Sequence, residues 1–108
     1  MKQVLAAALS AIALSACATM STEPRYGLKL GDQFAEVVKV AKIHGYEVVN
    51  SIYCMPTYPV RIRCEAGGTI VSFLRDSPGE VWADFLDVSV LDGRATDFLW
   101  RDREINTP

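Results

Sequence analysis

Aspartates crowded near the C-terminus, a single histidine, two nearby arginines and three cysteines are the side chains of this 108-residue chain that invite a chemical reading. Asp84, Asp87, Asp92 and Asp97 lie within fourteen residues of one another, and two carboxylates flanking a sugar bond are the minimal equipment of a glycoside hydrolase. Against that, Asp92 precedes Gly93 as a turn residue, Asp84 is expected to pair with Arg101, and the solvent face of an alternating strand carries such charges anyway. His44 would need a nucleophile and an orienting carboxylate to serve as a base. It stands at the end of a helical segment, where the backbone dipole suits its cation. Arg61 and Arg63 project from one strand face and could grip a phosphate or a partner, but Glu65 follows them and a solvated edge is the simpler reading. Two thiols and one imidazole are too few ligands for a zinc site. The residues therefore predict no enzyme, no metal and no cofactor.

The strongest signal lies at the N-terminus. Met1-Lys2-Gln3 is a short basic start, and Val4 to Leu14 is an uncharged apolar run of eleven residues. Small residues then lead to Cys17, the layout of a secretory signal peptide. Leu14-Ser15-Ala16-Cys17 resembles the bacterial lipobox. That resemblance implies cleavage before Cys17, a diacylglycerol on its thiol and acylation of the new amino group. It also implies outer-membrane placement facing the periplasm, because Ala18 stands where an aspartate would favour inner-membrane retention. More than one acyl chain holds a protein durably on a bilayer, at ~0.8 kcal/mol per buried CH₂. Residues 1–16 read as signal peptide, 17–24 as a lipidated, polar and unstructured tether, and 25–108 as one domain.

Lipidation would occupy Cys17 and leave Cys54 and Cys64. In the oxidising periplasm a disulfide is the default for such a pair. A redox centre would read Cys-x-x-Cys, which this spacing is not. The enclosed residues 55–63 include Pro56, Tyr58 and Pro59, so the bridge is expected to close a stiff loop with Tyr58 at its tip.

The elements that must position these groups follow from periodicity. Asp32 to His44 places Phe34, Val37, Val38 and Ala41 on one helical stripe, with Asp32 as the expected N-cap and Gly45 as the stop. Beyond Gly45 everything reads as strand: Tyr46–Tyr53, Val60–Glu65, Thr69–Leu74, Val81–Leu91 and Arg94–Arg101. Asp92-Gly93 is the hairpin signal, and a two-residue turn would set Leu86 opposite Leu99, Asp84 opposite Arg101 and Phe85 opposite Trp100. Residues after Arg101 read as a frayed tail. The expected fold is α+β: one N-terminal helix packed on an antiparallel meander of four to five strands, in two layers. Aromatics on such a sheet (Trp82, Trp100, Tyr53, Tyr58) belong either to its core or to an exposed recognition patch.

Removing residues 1–16 leaves 92, enough for one thinly stabilised core. Lys2 is the one charge removed, so ten basic and thirteen acidic side chains remain. A mildly acidic surface without a cationic patch does not bind nucleic acid.

Leu28-Lys29-Leu30-Gly31, the short amphipathic helix, Gly45 and strands ending in an Asp-Gly hairpin resemble the small outer-membrane lipoproteins of the SmpA/OmlA (BamE) type. That family assists the insertion of β-barrel proteins. The chain departs from the pattern in having one helix where the family has two, Tyr46 in place of a Gly-x-Pro continuation, and the extra cysteine pair. The sequence thus predicts a membrane-anchored envelope domain that binds or assists assembly without catalysis, through an envelope protein partner. The alternative is an inhibitor or immunity-type lipoprotein that inserts the Cys54–Cys64 loop into a lytic enzyme or toxin. The candidate contacts are Tyr58, Arg61 and Arg63. If Cys17 carries the anchor, Cys17→Ser abolishes incorporation of radiolabelled fatty acid and moves the protein out of the membrane fraction; unchanged labelling would refute the assignment.

Overall fold

The computed structural model describes residues 19–55 and 62–105. Cys17, Tyr58 and Arg61 lie outside the described residues, as do all of the signal segment and most of the disulfide loop.

The helical stripe forms α1 (Phe34–Ile43), with Val37 and Ala41 buried and Phe34, Val38 and Val40 packed beside them. Asp32 does not cap it. The N-cap residue is Gln33, which makes no side-chain capping bond. The Asp32 carboxylate instead accepts the Lys29 amide at 2.9 Å. The orphan amide of Phe34 is satisfied from another element, donating to the Gly93 carbonyl at 2.8 Å. A tertiary bond thus replaces the side-chain cap that a first turn ordinarily needs. At the other end Gly45 has φ +88°. Its amide reaches the Lys42 carbonyl and the Tyr46 amide reaches that of Ala41, the paired bonds of a Schellman stop.

Five strands form one antiparallel sheet in the order β1-β5-β4-β3-β2: β1 (Thr19–Ser21), β2 (Glu47–Tyr53), β3 (Thr69–Asp76), β4 (Trp82–Leu91) and β5 (Arg94–Ile105). The α+β class stands, but the sheet dominates and the helix is not N-terminal, since β1 precedes it. Residues 19–21 were expected in an unstructured tether; they pair with β5, Thr19 opposite Asp102 and Ser21 opposite Trp100. β5 runs on to Ile105, where fraying was expected after Arg101. The expected strand Val60–Glu65 is absent in its described part, Ile62–Glu65.

Asp92 and Gly93 both take positive φ, 52° and 76°, as the tight hairpin requires. The predicted register holds only beside that turn, where Val90 faces Ala95. Thr96 is then an extra residue in β5, because Ser89 pairs with Asp97. The bulge moves the ladder by one, so Leu86 faces Trp100 and Phe85 faces Arg101. Leu99 opposite Leu86 and Phe85 opposite Trp100 are therefore corrected. The shift sends Phe98 and Trp100 to the helix side with Val88 and Leu86, all fully buried. On the opposite face Ile62 packs over Ile70 and Leu99, with Cys64 beside them.

Gly93→Val should destabilise the domain by ~1–3 kcal/mol, since a β-branched residue is strained at positive φ even with open space around it. Its Cβ would meet nothing within 4 Å, so the loss isolates backbone strain. Thermal melts of the two proteins measure it.

Candidate functional site

β2 is the most exposed element of the sheet. All seven residues are solvent-accessible, because β3 covers one edge and among the described residues nothing pairs with the other. Tyr53 is 81 % exposed, and Val48, Val49 and Ile52 are each close to half exposed. Glu47 is the strand's one charged residue. A free strand edge presents unpaired amides and carbonyls, and charge is the usual means of discouraging docking there. A β-bulge at Val49, between Val48 and Asn50, distorts the first half. Asn50 to Tyr53 is regular.

β2 leads directly into the disulfide. Cys54 and Cys64 are bonded, with Cα atoms 5.8 Å apart. The Cys54 amide donates to the Gly68 carbonyl at 2.9 Å, which ties the start of the closed loop to the start of β3. The returning arm is clamped on the sheet's outer face: the Arg63 amide donates to Asp97 at 3.1 Å, and the Arg63 carbonyl accepts the Ser89 hydroxyl at 2.6 Å. Arg63 is accordingly an exposed side chain on a fixed backbone, not one of a strand-face pair. The bonds made by Ser89 and Asp97 hold the described part of the alternating pattern, Ile62–Glu65, on the face of the sheet and out of its ladder. The free edge and the bonded cysteines thus adjoin, while Tyr58 and Arg61 fall in the undescribed part of the loop.

Asp84, Asp87 and Asp97 are held by partners. Asp84 pairs with Arg75 at 2.8 Å and also accepts the Arg103 amide at 2.9 Å. The expected Asp84–Arg101 pair is therefore replaced, again through the shifted register. Arg101 bonds to Asp87 and Glu104 and lies 4.4 Å over the Phe85 ring. Asp87 also accepts the Ser72 hydroxyl. Burial pushes the Asp84 carboxyl up, but the Arg103 amide and the Arg75 guanidinium outweigh it and hold the group below the usual carboxylate range. Such a group keeps no proton to give at neutral pH, so it is unsuited to be the acid of a hydrolytic pair.

Aromatic residues divide between core and surface. Trp100 is fully buried, with Tyr46 at 5.9 Å and Tyr26 at 5.6 Å between ring centroids and the Arg25 guanidinium 4.8 Å above it. His44 caps α1 and stacks on Tyr26 at 3.6 Å, while its carbonyl accepts Arg75 at 3.1 Å. That is a structural use of the histidine. Trp82 is half-buried, with Arg103 5.5 Å from its ring. No group of three or more His, Cys, Asp or Glu is placed to hold a metal ion among the described residues. No helix among the described residues is long and apolar enough to cross a membrane.

No protein-family model, curated protein or solved structure matches this chain. The functional reading therefore rests on the free edge of β2, the bonded cysteines and the N-terminal sequence.

Tyr46 supplies a test of the packing that holds this arrangement. Its hydroxyl is buried without a hydrogen-bond partner among the described residues. Burial pushes its pKa up to about 12, with Arg75 opposing. An unfolded tyrosine ionises near pH ~10. Stability owed to the neutral phenol is thus complete below that pH and is lost as pH climbs from there to about 12. Asp84 acts in the opposite sense, contributing above the ordinary carboxylate range of ~pH 4 and losing its contribution as pH falls through its depressed value. Urea midpoints measured against pH should lose part of the alkaline slope in Tyr46→Phe and part of the acid slope in Asp84→Asn.

Proposed function

We propose that this chain is a membrane-anchored envelope lipoprotein whose domain acts by contact, without catalysis, and takes an extended segment of a partner protein along β2. The observation that carries the reading is the free edge of β2 beside the disulfide. Strand addition draws affinity from main-chain hydrogen bonds and selectivity from alternate side chains. The regular stretch Asn50 to Tyr53 offers both, and the bonded cysteines hold its end so that less order must be gained on binding. Diacylglycerol on Cys17, implied by the lipobox resemblance, would keep the domain at the periplasmic face of the outer membrane. A role of the SmpA/OmlA type, assisting β-barrel insertion, is one form of this reading.

The second reading is the inhibitor or immunity-type lipoprotein, favoured by the same disulfide. There the loop tip would enter a lytic enzyme or toxin, with Tyr58 as its leading residue. Arg63 can contribute to either mode because its side chain is exposed while its backbone is fixed.

Crosslinking of the tagged chain in intact envelopes tests the proposal. Ile52→Lys, a charge on an exposed edge position, should abolish partner capture while unfolding stability changes by no more than about 1 kcal/mol. Loss on Tyr58→Ala with Ile52→Lys still competent would favour loop insertion instead. Peptidoglycan turnover by the purified protein, abolished in Asp84→Asn or Asp97→Asn, would overturn the contact reading.

A further inference from the structure

The strands share one end at which the chain enters the fold. β1 begins there, with Thr19 opposite Asp102 of β5, and then runs inward to Ser21 opposite Trp100. Trp82, the first residue of β4, pairs with Ile105, the last of β5. Val81 precedes Trp82. Val81 and Ile105 are each 59 % exposed, and the Arg103 guanidinium lies over the Trp82 ring. Ile43, at the C-terminal end of α1, and Val48, at the start of β2, are also exposed. β2 starts at this same end, because Glu47 pairs with Leu74 near the close of β3. The opposite end of the sheet carries the turns at Asp92-Gly93 and Gly67-Gly68 and, beside the disulfide, exposed Tyr53 and Met55; what singles out the first end is its nearness to Cys17.

Cys17 stands two residues before Thr19 in the sequence. Two peptide units reach at most ~7 Å, so any lipid on Cys17 must lie beside this end. A half-buried tryptophan with flanking aliphatic residues and an arginine on its face is the side-chain set that settles at a bilayer–water boundary, the ring at headgroup level and the cation reaching water. The charges at this end refine the choice of surface. Glu47, Asp76, Glu80 and Glu104 outnumber Arg101 and Arg103 among the charges here, so this end lacks the basic excess that draws a domain to an anionic leaflet.

We infer that the end of the sheet formed by Val81, Trp82 and Ile105 is a membrane-docking surface, which seats the domain on a zwitterionic lipid headgroup region. The inference rests on the anchored reading, since the lipid on Cys17 supplies the attachment and the apolar end supplies the orientation. A tethered patch binds at a high effective concentration, so three apolar side chains suffice to orient a domain they could not recruit alone.

The test uses the full lipidated chain reconstituted into phosphatidylcholine vesicles whose acyl chains are brominated near the headgroup. Bromine quenches tryptophan only in close contact. The chain has two tryptophans, Trp82 and Trp100, and Trp100 is sealed in the core. Bromination should quench the parent and leave Trp82→Phe unquenched. Val81→Asp with Ile105→Asp, two changes at exposed positions, should abolish quenching while flotation with the vesicles and the melting temperature are kept. Flotation without quenching of the parent overturns the docking and leaves the anchor standing. Equal quenching in parent and Trp82→Phe also overturns it. A chain that does not float overturns both the anchor and the docking that depends on it.

Discussion

Burial of Trp100 beneath α1 depends on one extra residue, Thr96, in the last strand. Counted outward from the Asp92-Gly93 turn without a bulge, Trp100 would point away from the helix and Leu99 would take its place. Because Ser89 pairs with Asp97 while Val90 pairs with Ala95, the side chains beyond Thr96 exchange faces, and Trp100 comes to lie against Tyr46, Phe98 and Tyr26. The Thr96 hydroxyl donates to the Ser89 carbonyl at 3.2 Å, which helps to fix the bulge. A bulge also increases local twist, and the hairpin turn on its near side bonds to the start of the helix. Phe34 bonds to Gly93, and the Ala95 amide bonds to the Asp32 carbonyl. The hairpin turn therefore places the helix, and the ladder defect beside it selects the aromatic side chains that fill the core beneath.

A second register shift near the end of β5 organises the charges. Ala83 pairs with Glu104 while Phe85 pairs with Arg101, and Arg103 takes a φ of 55°. Asp84, left at this irregular point, accepts the Arg103 amide that the ladder no longer uses. On the helix side Arg25 makes a two-pronged bond to Asp102 while lying over Trp100, and Arg75 bonds to Asp84 while lying over Tyr46. Each guanidinium thus satisfies a carboxylate with its edge and covers an aromatic ring with its face, a use that lysine's compact ammonium could not match. Asp84, one of the four aspartates that suggested catalysis, is spent in this structural work.

How far the sequence foretold this arrangement follows from the range of each signal. The helix stripe, the Gly45 stop, the Asp92-Gly93 turn and the Cys54–Cys64 pair were legible, because each depends on neighbours in the chain or on the chemistry of one residue type. β1 was not, since Thr19-Met20-Ser21 has no pattern of its own and is a strand only where the edge of β5 accepts it. Nor were the bulges: Thr96 is an ordinary strand residue, and its displacement reflects which of two alternating sets fills the space under α1. Val60–Glu65 failed in the opposite direction. Its alternation is real, but Cys64 is held to Cys54 and Ile62 is drawn over Ile70 and Leu99, so the described part, Ile62–Glu65, packs on a face instead of joining an edge. β2 was legible as a strand and, being first in the expected meander, as an edge; that it pairs directly with β3 was not, because Val60–Glu65 was expected between them.

The two edges of the sheet are unequal in a way that bears on its use. At one edge the described part of β1 is three residues long. At the other, β2 offers seven residues. Four interstrand steps separate them, ~19 Å at 4.8 Å each. A lipid on Cys17 would hold the chain at the short edge and leave the long one standing free to the side. An open apolar edge is ordinarily an aggregation hazard, and the bulge at Val49 limits it by breaking the ladder that a second copy would need to match along the whole strand. What remains regular, Asn50 to Tyr53, is long enough for a short extended segment and ends against the disulfide. The same defect that discourages indiscriminate pairing thus narrows the edge to the part that the cysteines hold in place.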